Sequence, residues 1–269
     1  MMNMIDYHVH TYLCRHALGE PRDYVDVALK KGLKEIGIAD HFPLELMGIT
    51  PKAKVSMDAD ELELYFRMVR EASRTGGITV KTGIELDYAP GKMEKLATVL
   101  KDYPFDYIIG SVHFMGDWDF THPYSAGEFE KRPIEEVYEQ YFTLVCGACR
   151  SGLIDIIGHI DVVKKFNYRP SEKFLQPWYE KLAKLLRETG VCLELNTSGL
   201  DMPAGEFYPA PALLSRCIDE GVNIVLGSDA HTPEDVGRHF PLAMDMLREM
   251  GVRETVVFSR RKGVLQPLE

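Results

Sequence analysis

Seven short runs of apolar, mostly β-branched residues recur along the chain, and this recurrence narrows the folds open to it. They are Met4–His10, Glu35–His41, Thr79–Glu85, Tyr107–His113, Ile154–His159, Val191–Asn196 and Asn223–Asp229. Each is short and nearly continuous in apolar character, as a strand covered on both faces reads. Longer stretches between them carry apolar residues three and four apart. One opens at Pro21, aligns Val25, Ala28 and Leu29, and stops near Gly32. Another aligns Leu62, Tyr65, Phe66, Val69 and Ala72, and a third Trp178, Leu182, Leu185 and Leu186 before Gly190. Met93–Leu100, Ile134–Cys149, Pro211–Ile218 and Pro241–Met250 read the same way. Strand and helix in unbroken alternation predict parallel strands joined by crossover helices. With no linker or low-complexity tract, the pattern favours one α/β barrel domain over residues 1–269 rather than an open sheet. Val256–Phe258 is predicted as a late extra strand. Phe42–Met57 and Phe114–Pro133 read as long loops after strand ends, where a barrel carries its active site.

The strand ends carry the chemistry. In order they finish at His8/His10, His41, Glu85, His113, His159, Glu194-Leu195-Asn196 and Asp229/His231. In a parallel barrel these ends converge on one face. A single histidine at a strand end is commonly structural, but six converging imidazoles would be buried together without partners. A cation supplies the partner, and imidazole with carboxylate is the ligand set of zinc, manganese or iron. Residues two apart on a strand point to one side, so His8 and His10 can grip one ion. Asp229 and His231 repeat that spacing, and the two oxygens of Glu85 can bridge two ions. His16 reads as a surface residue when taken alone, yet its place just after the first strand suits completion of a second ion's shell. His122 and His239 have no strand-end position and are left out.

The remaining composition sets bounds. A net charge of −10 argues against a general nucleic-acid binder but not against a phosphorylated substrate, since bound cations reverse the local potential. The five cysteines form no framework, and the pair Cys146/Cys149 lies in a helical stretch, so ordinary buried thiols are expected. Met1–His10 has no signal-peptide pattern and no apolar run is long enough to span a membrane, so a cytoplasmic protein is expected.

With these residues in place, the sequence resembles the polymerase and histidinol phosphatase (PHP) family. The likeness rests on His8-Val9-His10-Thr11, Ala39-Asp40-His41, Gly83-Ile84-Glu85-Leu86-Asp87-Tyr88, Gly110-Ser111-Val112-His113-Phe114, Gly158-His159-Ile160-Asp161, Glu194-Leu195-Asn196-Thr197-Ser198-Gly199 and Gly227-Ser228-Asp229-Ala230-His231. It implies a distorted (β/α)7 TIM-like barrel with two to three divalent ions. It also implies His8, His10, His16, His41, Glu85, His113, His159, Asp229 and His231 as ligands. Length and the Glu-Leu-Asp-Tyr, Ser-Val-His-Phe and Asn-Thr-Ser-Gly segments look most like the stand-alone histidinol-phosphate phosphatases. Such enzymes often carry a basic residue just after Asn-Thr-Ser-Gly-Leu, whereas Asp201-Met202-Pro203 stands here, so another residue would have to hold the phosphate.

The expected reaction is hydrolysis of a small phosphate monoester, L-histidinol phosphate first, by direct attack of a metal-held hydroxide. Asp229 or His231 would manage the proton. Arg15, Lys164 and Arg238, each near a strand-end motif, are candidates to grip the phosphate, with a solvated role open for each. Asp87 could pair with a cationic group of the substrate or, instead, steady a ligand histidine. The alternatives are a PHP-type phosphoesterase acting on nucleotides, DNA or other small esters, an amidohydrolase-like C–N hydrolase, and a non-catalytic metal-binding module. No lysine stands at a strand end, as a carboxylated-lysine amidohydrolase would need. The sequence leaves a homo-oligomer open.

Overall fold

The computed structural model describes residues 4–268; Met1–Asn3, the start of the stretch read for a signal peptide, and Glu269 lie outside the described residues. Strands β1 (Ile5–Asp6), β2 (Glu35–Ile38) and β3 (Thr79–Thr82) pair in parallel in sequence order. β4 (Glu85–Asp87) continues β3 after a break at Gly83-Ile84 and pairs with β5 (Ile109–Ser111). A small antiparallel hairpin of β6 (Phe114–Met115) and β7 (Trp118–Asp119) follows. The parallel series resumes with β8 (Ile156–Ile157), β9 (Cys192–Asn196) and β10 (Ile224–Gly227).

Two seams turn these sheets into a ring. At the break, the Gly83 N–H still donates to Ile38 O at 2.8 Å, and the Ile109 N–H donates to Ile84 O at 2.9 Å. One chain segment thus joins β2 on one side and β5 on the other. At the other seam the Tyr7 N–H donates to Leu226 O at 3.2 Å and the His10 N–H to Ala230 O at 2.9 Å. The last parallel strand is thereby laced to the first. The result is a distorted (β/α)7 barrel, with β3 and β4 counted as one interrupted strand.

The helices cover the outside with the stripes their spacing predicts. α1 (Pro21–Lys30) starts at a proline, its first turn held by the Asp23 carboxylate accepting the Glu20 N–H at 2.8 Å, and buries Tyr24, Val25 and Ala28. α2 (Leu44–Met47) is a single turn inside the first long loop. α3 (Leu62–Ala72), α4 (Met93–Leu100) and α5 (Ile134–Arg150) follow. α6 (Glu172–Thr189) begins six residues before the predicted stripe, is capped by Ser171 and stops at Gly190 in the left-handed region. α7 (Pro211–Asp219) and α8 (Phe240–Glu249) complete the layer. Each fully buried large apolar side chain contributes about 1.5–3 kcal/mol.

Alternation along β9 shows how the barrel is lined. Leu193 and Leu195 belong to the core shared with the helices, whereas Cys192 sits in a second, interior cluster with Tyr7, Tyr107, Ile109, Ile156 and Val225. Tyr107 crosses this interior and donates its hydroxyl to Tyr7 O at 2.6 Å. A side chain at Gly83 would place Cβ 2.3 Å from the Tyr107 ring, so glycine is required there. The expected late strand is real but is not a barrel strand. β11 (Glu254–Ser259) pairs antiparallel with β12 (Lys262–Pro267), and its Val256 and Phe258 close the interior cluster at the N-terminal mouth. Arg261 fastens this plug through an ion pair to Asp155. Interior space is therefore filled from below, and the histidines and carboxylates of the strand ends gather at the opposite mouth.

Candidate active site

Glu85 lies at the centre of the C-terminal mouth, 1% exposed. Its Oε2 faces His41 Nδ1 at 2.9 Å, His8 Nε2 at 3.4 Å and His10 Nε2 at 3.5 Å. Its Oε1 faces His159 Nε2 at 3.1 Å and His113 Nε2 at 3.5 Å. Five imidazoles from four strand ends thus surround one carboxylate. On the other side, Asp229 Oδ1 lies 3.3 Å from His10 Nε2, 3.5 Å from His231 Nδ1 and 3.9 Å from His8 Nε2. His231 Nε2 meets His16 Nε2 at 2.9 Å, which brings His16 into the group. All nine residues named as ligands from the sequence converge.

A ring of outer partners aims these rings. The His8 Nδ1–H donates to Glu194 Oε1 at 2.6 Å, and Glu194 Oε2 accepts the His159 N–H at 2.7 Å. His113 Nδ1 lies 3.1 Å from both oxygens of Asp87, and the His16 Nδ1–H donates to Cys14 O at 2.7 Å. With Nδ1 engaged, Nε2 is the atom left to face the centre. Room for Glu194 comes from Gly227, where a Cβ would stand 1.9 Å from Glu194 Oε1. His159 and Asp229 adopt φ of 23° and 52°, left-handed conformations that non-glycine residues hold at a cost and that here turn the side chains inward.

The donor set fits a cation cluster. His8 Nε2, His10 Nε2, Glu85 Oε2 and His159 Nδ1 are buried and have no hydrogen-bond partner among the described residues. Orphaned buried groups of this kind cost several kcal/mol unless something satisfies them. The crowding of imidazoles and carboxylates also shifts their proton equilibria in both directions. Burial works against a charged His8, but Glu194, Glu85 and Asp229 outweigh it and hold its pKa well above the usual range. Burial likewise opposes charge on His113, and Asp87 with Glu85 overcomes it, lifting the group to about 9. Burial and the neighbouring His41 and His231 push His16 down to about 3. Burial also opposes charge on Glu85, yet His41, His8 and His113 keep its pKa well below the carboxylate range.

The mouth opens into a cavity of about 440 Å³. Beside residues of this cluster it is lined by Asp119, His122, Lys165, Ser198 and Arg238. The PHP domain family matches residues 6–198, more than half of the chain. This chain belongs to the PHP domain family. As a PHP protein it is 38% identical to the Deinococcus radiodurans protein named "Probable histidinol-phosphatase", over 99% of this chain and 100% of that one. It is 31% identical to the histidinol-phosphatase of Bacillus subtilis, over 88% of this chain and 96% of that one. Its fold matches the histidinol phosphate phosphatase of Lactococcus lactis, solved with zinc, L-histidinol and phosphate, at a TM-score of 0.84. That match covers 98% of this chain and 100% of the other, at 23% identity.

Within this PHP site the expected substrate contacts fare unevenly. Lys164 does not face the cavity. Its ammonium is buried between Asp161 at 2.8 Å and Glu206 at 2.9 Å and donates to Phe207 O, which makes it a structural tie. The next residue, Lys165, lines the cavity and has no carboxylate within 4.0 Å among the described residues. Arg15 also points away, into ion pairs with Glu61 and Asp58. Arg238 does line the cavity, although its guanidinium is largely committed, donating to Ser228 O at 2.9 Å and Asp229 O at 2.8 Å. Asp87 holds the His113 ring, the second of its two anticipated roles, and it also lines the cavity, as the first would need. Asp201, at the position where a basic residue was expected, pairs with His239 at 2.9 Å and Arg238 at 3.4 Å. His122, set aside for want of a strand end, reaches the cavity from the turn after β7.

Proposed function

We propose that this protein hydrolyses L-histidinol phosphate to L-histidinol and phosphate, as a step of histidine biosynthesis in the cytoplasm. Residues 1–269 are read as one catalytic domain, and two to three divalent ions of the zinc, manganese or iron type as its cofactors. Among the described residues no helix is long and apolar enough to cross a membrane. The observation that carries the reading is the Glu85 carboxylate, whose two oxygens face different sets of imidazoles.

His8, His10, Glu85 and Asp229 would hold one ion. Glu85, His113 and His159 would hold a second, and His16, His41 and His231 a third where three are bound. Bound divalent ions supply Lewis-acid neutralisation of the phosphoryl oxygens and a water made acidic enough to react near neutral pH. The chain's own groups do the rest. Lys165 and Arg238 stand at the cavity wall with positive charge for the phosphate dianion. Delivery of a proton to the leaving alkoxide oxygen is assigned to Asp229 and His231, a reading supported by the 3.5 Å between their Oδ1 and Nδ1. Asp119, on the same wall, offers a carboxylate to a cationic leaving group.

A phosphate-release screen of the metal-loaded protein tests the proposal. L-Histidinol phosphate, mononucleotides, oligonucleotides and simple amides are compared at equal concentration. A kcat/KM for histidinol phosphate well above every other compound supports it. Turnover confined to nucleotides or amides overturns it.

A further inference from the structure

Cys14 reads from the sequence as an ordinary buried thiol, and it is fully buried. Its surroundings are not those of a space-filling thiol. The His10 Nδ1 lies 3.3 Å from its sulfur, and the backbone N–H of His41 donates to the same sulfur at 3.2 Å. The thiol in turn donates to Asp40 Oδ1 at 3.0 Å. Asp40 is also fixed by Thr11, whose N–H donates to the same Oδ1 at 2.5 Å and whose hydroxyl donates to Oδ2 at 2.6 Å. The carbonyl of Cys14 accepts the His16 Nδ1–H at 2.7 Å. One residue therefore touches three of the nine candidate ligands, two through the sulfur and one through the backbone.

We propose that Cys14 is a positioning residue for the metal centre: its sulfur accepts from the His10 ring, its S–H donates to Asp40, and the pair so fixes the tautomer that turns His10 Nε2 toward Glu85 and Asp229. This rests on the metal-dependent reading above. Sulfur suits the position because a large, polarisable acceptor serves two long N–H contacts while its single proton serves Asp40. Its proton is directed to Asp40 by geometry, because the sulfur's other two polar neighbours, His10 Nδ1 and the His41 N–H, lie on its acceptor side. The one rival placement is direct ligation, since His10, Cys14 and Asp40 also present donor atoms close enough for a small ion.

The experiment compares wild type with Cys14→Ala and Cys14→Ser, each shown to be folded by circular dichroism. Zinc and manganese affinities are measured by chelator competition, kcat and KM are measured separately, and the cobalt(II)-substituted proteins are examined by absorption spectroscopy. The expected result for Cys14→Ala is a loss of about 10–100-fold in metal affinity, with kcat reduced and KM little changed. Cys14→Ser, which keeps a donor and an acceptor, recovers part of both. Should Cys14→Ala fail to fold, the serine variant carries the test through an intermediate loss. Two results overturn the proposal: wild-type affinity and kcat in the folded variants, or a sulfur-to-cobalt charge-transfer band in the wild type, which makes Cys14 a ligand. A wild-type protein that binds no ion and releases no phosphate instead defeats the functional reading itself, so the two failures are told apart.

Discussion

Replacing Glu194 by glutamine changes no volume, yet it should strip the centre of metal. The carboxylate accepts from His8 Nδ1 at 2.6 Å, from the His159 N–H at 2.7 Å and from Asn196 Nδ2 at 3.1 Å. It therefore faces donors on both oxygens. An amide offers one acceptor and one donor, and neither orientation suits. With its oxygen toward His8, the NH2 group opposes two other donors. Flipped, it donates to His8 Nδ1, which moves the His8 proton to Nε2 and blocks the atom that faces Glu85. Either way at least one charge-assisted hydrogen bond is lost, about 1.5–3 kcal/mol. At about 1.4 kcal/mol per decade this is roughly a 10- to 150-fold loss of affinity. Graded chelator dialysis followed by elemental analysis reads the loss, with circular dichroism confirming the fold. A Glu194→Gln protein that holds its ions as tightly as wild type, while His8→Ala releases them, refutes the argument that the outer carboxylate sets the ligand's tautomer.

Other expectations follow from the same contacts. Lys164→Met leaves Asp161 buried without its cation and should destabilise the fold by about 3–5 kcal/mol, seen as a shifted denaturation midpoint. Lys165→Gln should leave stability unchanged and lower kcat/KM for a phosphate monoester about 10–100-fold; an effect on the denaturation midpoint instead would place Lys165 with Lys164 as a structural tie. Exhaustive chelation should abolish turnover while leaving a folded protein, with zinc at 100 times its dissociation constant restoring about 2.7 kcal/mol of stability; a denaturation curve indifferent to zinc contradicts this.

Much of this architecture was legible because two periodicities separate cleanly. Runs such as Val191–Asn196 are buried on both faces, and stripes such as Leu62, Tyr65 and Val69 are buried on one. Convergence of the strand ends then follows from parallel topology, which is why His8, Glu85 and Asp229 could be brought together across the whole chain. Failures occurred where placement hangs on a single residue. Lys164 and Lys165 are adjacent in a turn after β8, and only the trajectory of that turn decides which meets Asp161 and which meets the cavity. Arg15 sits at φ 67°, which sends its guanidinium to Glu61 and Asp58. The hairpin of β6 and β7 is two residues per strand, too short for alternation to register, and His122 follows it. The Cys14 contacts join residues up to 27 apart through side chains and leave no local pattern at all.

The seam between β10 and β1 has a consequence for how the protein comes into being. His8 and His10 emerge first during synthesis, but Asp229 and His231 emerge only after most of the chain is made. Asp6 likewise waits for Ser228 and Gly237, whose N–H groups it accepts at 2.9 Å each. Ring closure is thus a late, long-range event, and the cluster gains its full complement of ligands in the same step. A nascent chain stalled before β10 would present an open edge and an unfinished cluster of histidines and carboxylates.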